Sequence, residues 1–253
     1  MIACENDPIG FPCTPSAFTM AGVKPPIATE FFEDSSQPAV SGFIVSPSQS
    51  TGDAVVLTHG AGGNCQSRLL VHLSAAFAEM GLLVLRCNLP FRQKRPHGPP
   101  FPGSAREDRE GLRRAVLSLR QRVPGRVFLG GHSYGGRQST MLAADEPSLV
   151  DGLLLLSYPL HPPRKPEDLR TSHFPRLSTP ALFVHGSRDP FGSWEQMRAA
   201  LDPVPARHSM LEIEGAGHDL IAKGLAGDEV IRRILDAFHA FFSTRVAAEE
   251  ESS

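Results

Sequence analysis

Short apolar runs that do not alternate with polar residues recur along this chain, and most are followed by a stretch with helical spacing. The runs lie at 54–58 (Ala54-Val55-Val56-Leu57-Thr58), 82–86, 127–129, 153–156, 181–184 and 210–213. A strand that is apolar at successive positions is covered on both faces, as in a parallel sheet. Leu69, Leu70, Leu73, Phe77 and Met80 share one face of a helix expected over 69–80, and Leu112, Val116 and Leu119 do so over 106–122. Further helices are expected over 138–145, 194–201 and 229–245. Strands alternating with helices predict an α/β fold, a mostly parallel central sheet with helices on both faces. Residues 29–32 and 40–45 read as two more strands joined by a polar turn. Residues 88–103, with five prolines, read as a loop.

One domain accounts for this pattern, because no internal repeat or linker-like break interrupts 29–246. Residues 1–28 carry Pro8, Pro12, Pro15, Pro25 and Pro26 and little periodicity. They read as an N-terminal arm, flexible on this reading, with Met20 as a second candidate start. Residues 247–253 read as an acidic tail. At 41% hydrophobic and 21% charged residues the chain has ordinary globular composition. A net charge of −2 lacks the basic excess of a general nucleic-acid binder. No apolar run approaches the roughly 18 residues that span a bilayer, so no membrane helix is expected. No secretory signal is read, so a cytoplasmic location and reduced thiols are expected. Cys4, Cys13, Cys65 and Cys87 include no CxxC pair, which leaves zinc-ribbon and thioredoxin readings unsupported. A Cys4–Cys13 bridge is the less favoured alternative.

The chemistry is carried by Gly131-His132-Ser133-Tyr134-Gly135, a G-x-S-x-G pattern between a strand and a helix. A sharp strand-to-helix turn lifts the serine hydroxyl above the sheet edge, and the flanking glycines remove Cβ atoms that would clash. A serine hydroxyl needs a base to take its proton and an acid to orient that base. Asp189 and His218 each follow a strand, in the chain order expected on such a sheet, at the carboxyl ends where ligands bind. Asp202 and Asp219 are the rival acids, and His185 and His208 the rival bases. Asp202 ends a helix, and Asp219 adjoins the base it would have to face. Backbone N–H groups of Tyr134 and of Ala61, in the loop His59-Gly60-Ala61-Gly62-Gly63, are the expected oxyanion donors. Gly62 lies close behind, and His59 is expected to hold the loop.

Together these residues resemble the serine hydrolases of the α/β-hydrolase fold, over roughly residues 29–245. Thr58-His59-Gly60-Ala61-Gly62-Gly63, Leu89-Pro90-Phe91-Arg92 and Phe128-Leu129-Gly130-Gly131-His132-Ser133 resemble a compact dienelactone-hydrolase-like branch. That branch groups small bacterial hydrolases with a testis-expressed protein and a subunit of a chromatin acetyltransferase complex. Ser133 departs from the cysteine nucleophile of dienelactone hydrolases proper. The resemblance implies acyl transfer through an ester on Ser133, with Asp189 and His218 completing a triad and no metal or organic cofactor.

Between the runs at 153–156 and 181–184 the chain is short and proline-rich, so no large cap domain is expected. The implied substrate is a small acyl compound carrying an ester, thioester or lactone bond. Gly62, His59, Arg92 and Arg95 are candidate substrate-binding residues, the two arginines for an anionic substrate. Two other readings stay open: a non-catalytic binding scaffold on a hydrolase fold, and an acyltransferase in which an alcohol replaces water.

Overall fold

In a computed structural model, describing residues 26–35 and 37–243, eight strands form one sheet. They are β1 (Ala28–Glu33), β2 (Val40–Val45), β3 (Ala54–Thr58), β4 (Leu83–Asn88), β5 (Val127–His132), β6 (Gly152–Leu156), β7 (Ala181–Gly186) and β8 (His208–Ile213). Their order is β1-β2-β4-β3-β5-β6-β7-β8. β2 pairs antiparallel with β1 and β4, and every other pairing is parallel. The helices are α1 (Arg68–Glu79), α2 (Pro90–Lys94), α3 (Ser104–Arg120), α4 (Tyr134–Asp145), α5 (Trp194–Ala200) and α6 (Gly227–Ser243).

The continuous apolar runs are explained by two cores. Successive strand residues point to opposite faces. Val55, Leu57 and Phe128 meet α1 and α6 on one face. Val56, Leu129 and Leu153 meet α3, α4 and α5 on the other. From β3 the chain passes through α1 to β4 on one side, then through α2 and α3 to β5 on the opposite side of β3. The switch point therefore lies between the carboxyl ends of β3 and β5, where an open α/β sheet has its crevice.

Three local expectations change. β5 runs to His132, because Gly130 and Gly131 pair with both Leu57–Thr58 and Leu154–Leu155 despite offering no side-chain pattern. α4 accordingly starts at Tyr134, directly after the serine. The proline-rich loop contains α2, whose first residue is Pro90; its fixed φ suits that position. Between β6 and β7 the structured piece is one 3₁₀ turn, Phe174–Arg176, so among the described residues no large cap is inserted there. Cys65 and Cys87 are free and buried, whereas Cys4, Cys13, most of the arm and the acidic tail lie outside the described residues. Among the described residues, no helix is long and apolar enough to cross a membrane.

Phe238 of α6 ties the α1 face together: its ring centroid lies 4.8 Å from Phe77, 4.9 Å from Phe128 and 4.7 Å from Phe242. Phe238→Ala is expected to cost about 3–5 kcal/mol in urea denaturation. Leu117→Ala, at a position 38% exposed, should change stability by about 0.5 kcal/mol or less.

Candidate active site

Ser133 occupies the turn between β5 and α4 with φ 51° and ψ −115°, outside the regions that L-residues favour. Its N–H donates to Leu156 O of β6 at 2.8 Å. The turn needs its glycines: a Cβ at Gly131 would overlap Gly136 N, and one at Gly135 would come 2.6 Å from His59 O.

The serine hydroxyl meets His218 Nε2 at 2.7 Å, and His218 Nδ1 meets Asp189 Oδ2 at 2.8 Å. His218 follows β8 and Asp189 follows β7, so adjacent parallel strands deliver the pair to the same edge. The Asp189 side chain is wholly buried, and its Oδ1 accepts the Phe191 N–H at 2.9 Å. A carboxylate on Nδ1–H leaves the Nε2 lone pair facing the hydroxyl, the tautomer a general base requires. Neither rival acid takes part. Asp219 is exposed and accepts Ile221 N–H within its own turn, and Asp202 is exposed beyond α5. Nor does either rival base: His185 bonds Gly192 O, and His208 bonds Ala206 O.

Two neighbours of the imidazole were not among the sequence candidates. His132 Nε2–H donates to His218 O at 2.8 Å and so fixes the backbone that carries the base; burial pushes its pKa below the ordinary value. The Phe191 ring lies 4.2 Å from the His218 ring and covers it.

Because β3 pairs with β5 and Thr58 lies opposite Gly131, the loop after β3 starts level with Ser133. Ala61 and the exposed Gly62 lie in that loop, and Tyr134 is the first residue of α4. A helix's first N–H groups have no intrahelical acceptor and can receive an anion.

Arg92, a substrate-binding candidate, turns inward instead, and His59, also named as such a candidate, takes the loop-holding role expected of it. His59 is 0% exposed. Its Nε2 accepts Leu89 N–H at 3.1 Å, which leaves Nδ1–H to donate to Gly60 O at 2.8 Å. Burial, with Arg92 and His132 nearby, lowers its pKa to about 4. Arg92 is 5% exposed, and its guanidinium donates to the carbonyls of Ala61, Gly63, Arg95 and Gly98 at 2.7–3.1 Å. Close packing of the loop on α2 takes both side chains away from the solvent side. Arg95 stays partly exposed, its guanidinium 4.7 Å from the Phe101 ring centroid. A cleft of about 600 Å³ at the β1–β2 edge is lined by Phe31, Phe43, Asn64, Cys65 and Arg92 among others; Ser133, Asp189 and His218 do not line it.

Known proteins place this arrangement in a class. The family described as the alpha/beta hydrolase domain matches residues 51–243, and the chain belongs to that family. A dienelactone hydrolase from Anabaena variabilis superposes with a TM-score of 0.68 at 19% identity, covering 87% of this chain and 98% of that one. An alpha-beta serine hydrolase homologue from Coxiella burnetii gives 0.65 at 20% identity, covering 82% and 94%. Est1E from Butyrivibrio proteoclasticus gives 0.66 at 15%, covering 85% and 99%. At these identities the likeness is one of fold.

The short Asp189–His218 contact is expected to give a far-downfield imidazole proton resonance. Asp189→Ala should abolish that signal; Asp202→Ala and Asp219→Ala should retain it. A neutral His59 predicts an acid-sensitive fold. Its folded pKa lies below that of the unfolded chain, so its contribution is complete above about pH 6.5 and is lost on acidification towards about pH 4. The urea midpoint should fall more steeply over this window in the native chain than in His59→Asn.

Proposed function

We propose that the chain is a serine hydrolase that cleaves an ester-type bond, in a carboxylic ester, thioester or lactone, through an acyl-enzyme on Ser133. The observation that carries this reading is the unbroken series from Ser133 Oγ through His218 to Asp189 at the open carboxyl edge of the sheet. His218 Nε2 takes the hydroxyl proton as Oγ attacks the acyl carbonyl. The carbonyl pair moves onto oxygen, where the N–H groups of Ala61 and Tyr134 receive it. Collapse expels the leaving group, which takes the proton from His218. Water then attacks the acyl carbon as His218 takes its proton, and collapse releases the acid as His218 returns the proton to Ser133 Oγ. Asp189 holds the imidazole in one tautomer and stabilises its charged form.

With no cap between β6 and β7 the cleft is open, which favours a small or bulky soluble acyl compound over a long lipid chain that needs a tunnel. Est1E, which shares the fold, has been solved with ferulic acid bound, and a bulky aromatic acid of that kind is one class such an open edge could take.

The test is labelling by a fluorophosphonate probe together with hydrolysis of p-nitrophenyl esters. The native protein should label and turn over. Ser133→Ala should do neither, and Asp189→Asn should lose roughly 10³–10⁴-fold in kcat. Folded native protein that neither labels nor hydrolyses any ester or lactone would overturn the proposal in favour of a binding scaffold.

A further inference from the structure

Helix α2 is only five residues long, yet it touches both walls of the site. Immediately before it, Leu89 N–H donates to His59 Nε2 at 3.1 Å, and His59 Nδ1–H holds Gly60 O at 2.8 Å. In its second position, Phe91 N–H donates to Asp108 Oδ1 at 3.0 Å, and Asp108 Oδ2 accepts the Tyr134 hydroxyl at 2.7 Å. In its third, Arg92 Nη2 and Nε hold Ala61 O and Gly63 O, each at 2.7 Å. The Phe91 ring sits edge-to-face between those of His59, at 5.6 Å, and Tyr134, at 5.7 Å.

A trans peptide points its N–H and C=O in opposite directions. Holding Gly60 O therefore points the Ala61 N–H away from His59, and holding Ala61 O points the Gly62 N–H away from Arg92. A cation on a carbonyl also polarises the amide beyond it, here that of Gly62 and that of Asn64. Arg92 is nearly buried, and among the described residues no carboxylate pairs with it. Its charge is spent on the carbonyls of this loop and of the segment after α2. Ala61 and Tyr134 come from separate elements, the loop after β3 and the start of α4.

We propose that α2 is a brace that sets the two oxyanion donors at one separation, with Arg92 and Asp108 as its positioning residues. The inference rests on the reading of Ser133 as an acyl-enzyme nucleophile. Arg92 braces the loop on both sides of Gly62 through Ala61 O and Gly63 O, while His59, held by Leu89 N–H, fixes Gly60 O and with it the Ala61 amide; Asp108 acts on the Tyr134 side through the phenol. Neither touches the substrate.

The experiment uses the full chain and an ester that the native protein hydrolyses, with Arg92→Lys, Arg92→Met and Tyr134→Phe. Lysine keeps the charge but loses the fork that spans two carbonyls. Phenylalanine frees Asp108 but keeps the Tyr134 backbone donor. Each variant should lower kcat by roughly 10–100-fold, the scale of a displaced oxyanion donor, with KM changed by less than about threefold. Arg92→Lys should retain more activity than Arg92→Met.

A trifluoromethyl ketone analogue reads the donors directly. Ser133 Oγ adds to its carbonyl carbon, the π pair moves to oxygen, and His218 takes the hydroxyl proton. Its Ki should rise in step with the fall in kcat/KM, while the Ki of the corresponding alcohol, which forms no oxyanion, stays unchanged. Unchanged kcat in folded Arg92→Lys and Tyr134→Phe, or equal losses for ketone and alcohol, would overturn the brace and leave the hydrolase reading intact. A native protein inert to probe, ester and ketone alike would instead overturn the hydrolase reading and the brace with it.

Discussion

Ser133 sits in a backbone conformation that costs an ordinary L-residue of order 1–3 kcal/mol, and the edge of the sheet is built around holding it there. The serine N–H is taken by Leu156 O of β6, and its carbonyl accepts Arg137 N–H to start α4. The helix then turns back so closely that Gly136 meets Gly131 and Gly135 meets the Thr58–His59 backbone. A side chain at any of these glycines would push α4 away from β5 or β3. The constraint that aims the hydroxyl is thus the same one that brings the loop after β3 against it. The position of the serine and that of the loop after β3 are two consequences of one close approach.

Around the serine, three histidines have their protons assigned by main-chain or carboxylate partners. His59 accepts from Leu89 N–H and must donate from Nδ1; His132 must donate from Nε2 to a carbonyl; His218 donates from Nδ1 to Asp189. Burial keeps His59 and His132 neutral near neutral pH. That matters for the ring that would charge during acyl transfer. His132 lies 5.2 Å from His218, and a second cation at that distance, poorly screened, would oppose any positive charge on that ring.

Most of the sheet was legible in the sequence because the central strands announce themselves: a residue run covered on both faces has nowhere to put a polar group. The serine, acid and base were legible as candidates because they follow such runs in a fixed order. What stayed hidden depends on contacts far apart in the chain. Prolines around α2 masked a helix whose stability comes from its burial rather than from its composition. Arg92 read as a charge facing the substrate because nothing local shows four carbonyls converging on it. His132 read only as the variable residue of a motif. Asp108 did leave a trace: it stands four residues before Leu112, on the apolar stripe of α3, where a carboxylate has to find partners inside the protein. Read that way, it would have pointed to the Tyr134 hydroxyl's side of the core.

The lack of an inserted cap between β6 and β7 links these observations. A lid raises the value of every electrostatic interaction beneath it by excluding water. Here the imidazole side chain keeps 21% of its exposure, and Gly62 faces open space, so water reaches the front of the cleft. Donors in such a site gain little from dryness and must gain from rigidity, since a fixed dipole does not have to reorganise as charge develops. The residues able to supply that rigidity lie behind the loop: His59 and Asp108 at 0% exposure and Arg92 at 5%. Buried polar groups are costly unless every partner is in place. Concentrating three of them around one five-residue helix is hard to explain as packing alone, because apolar side chains would fill the same space at less cost. Their position is what an open cleft requires if the site is to be preorganised from the protein side instead of from above.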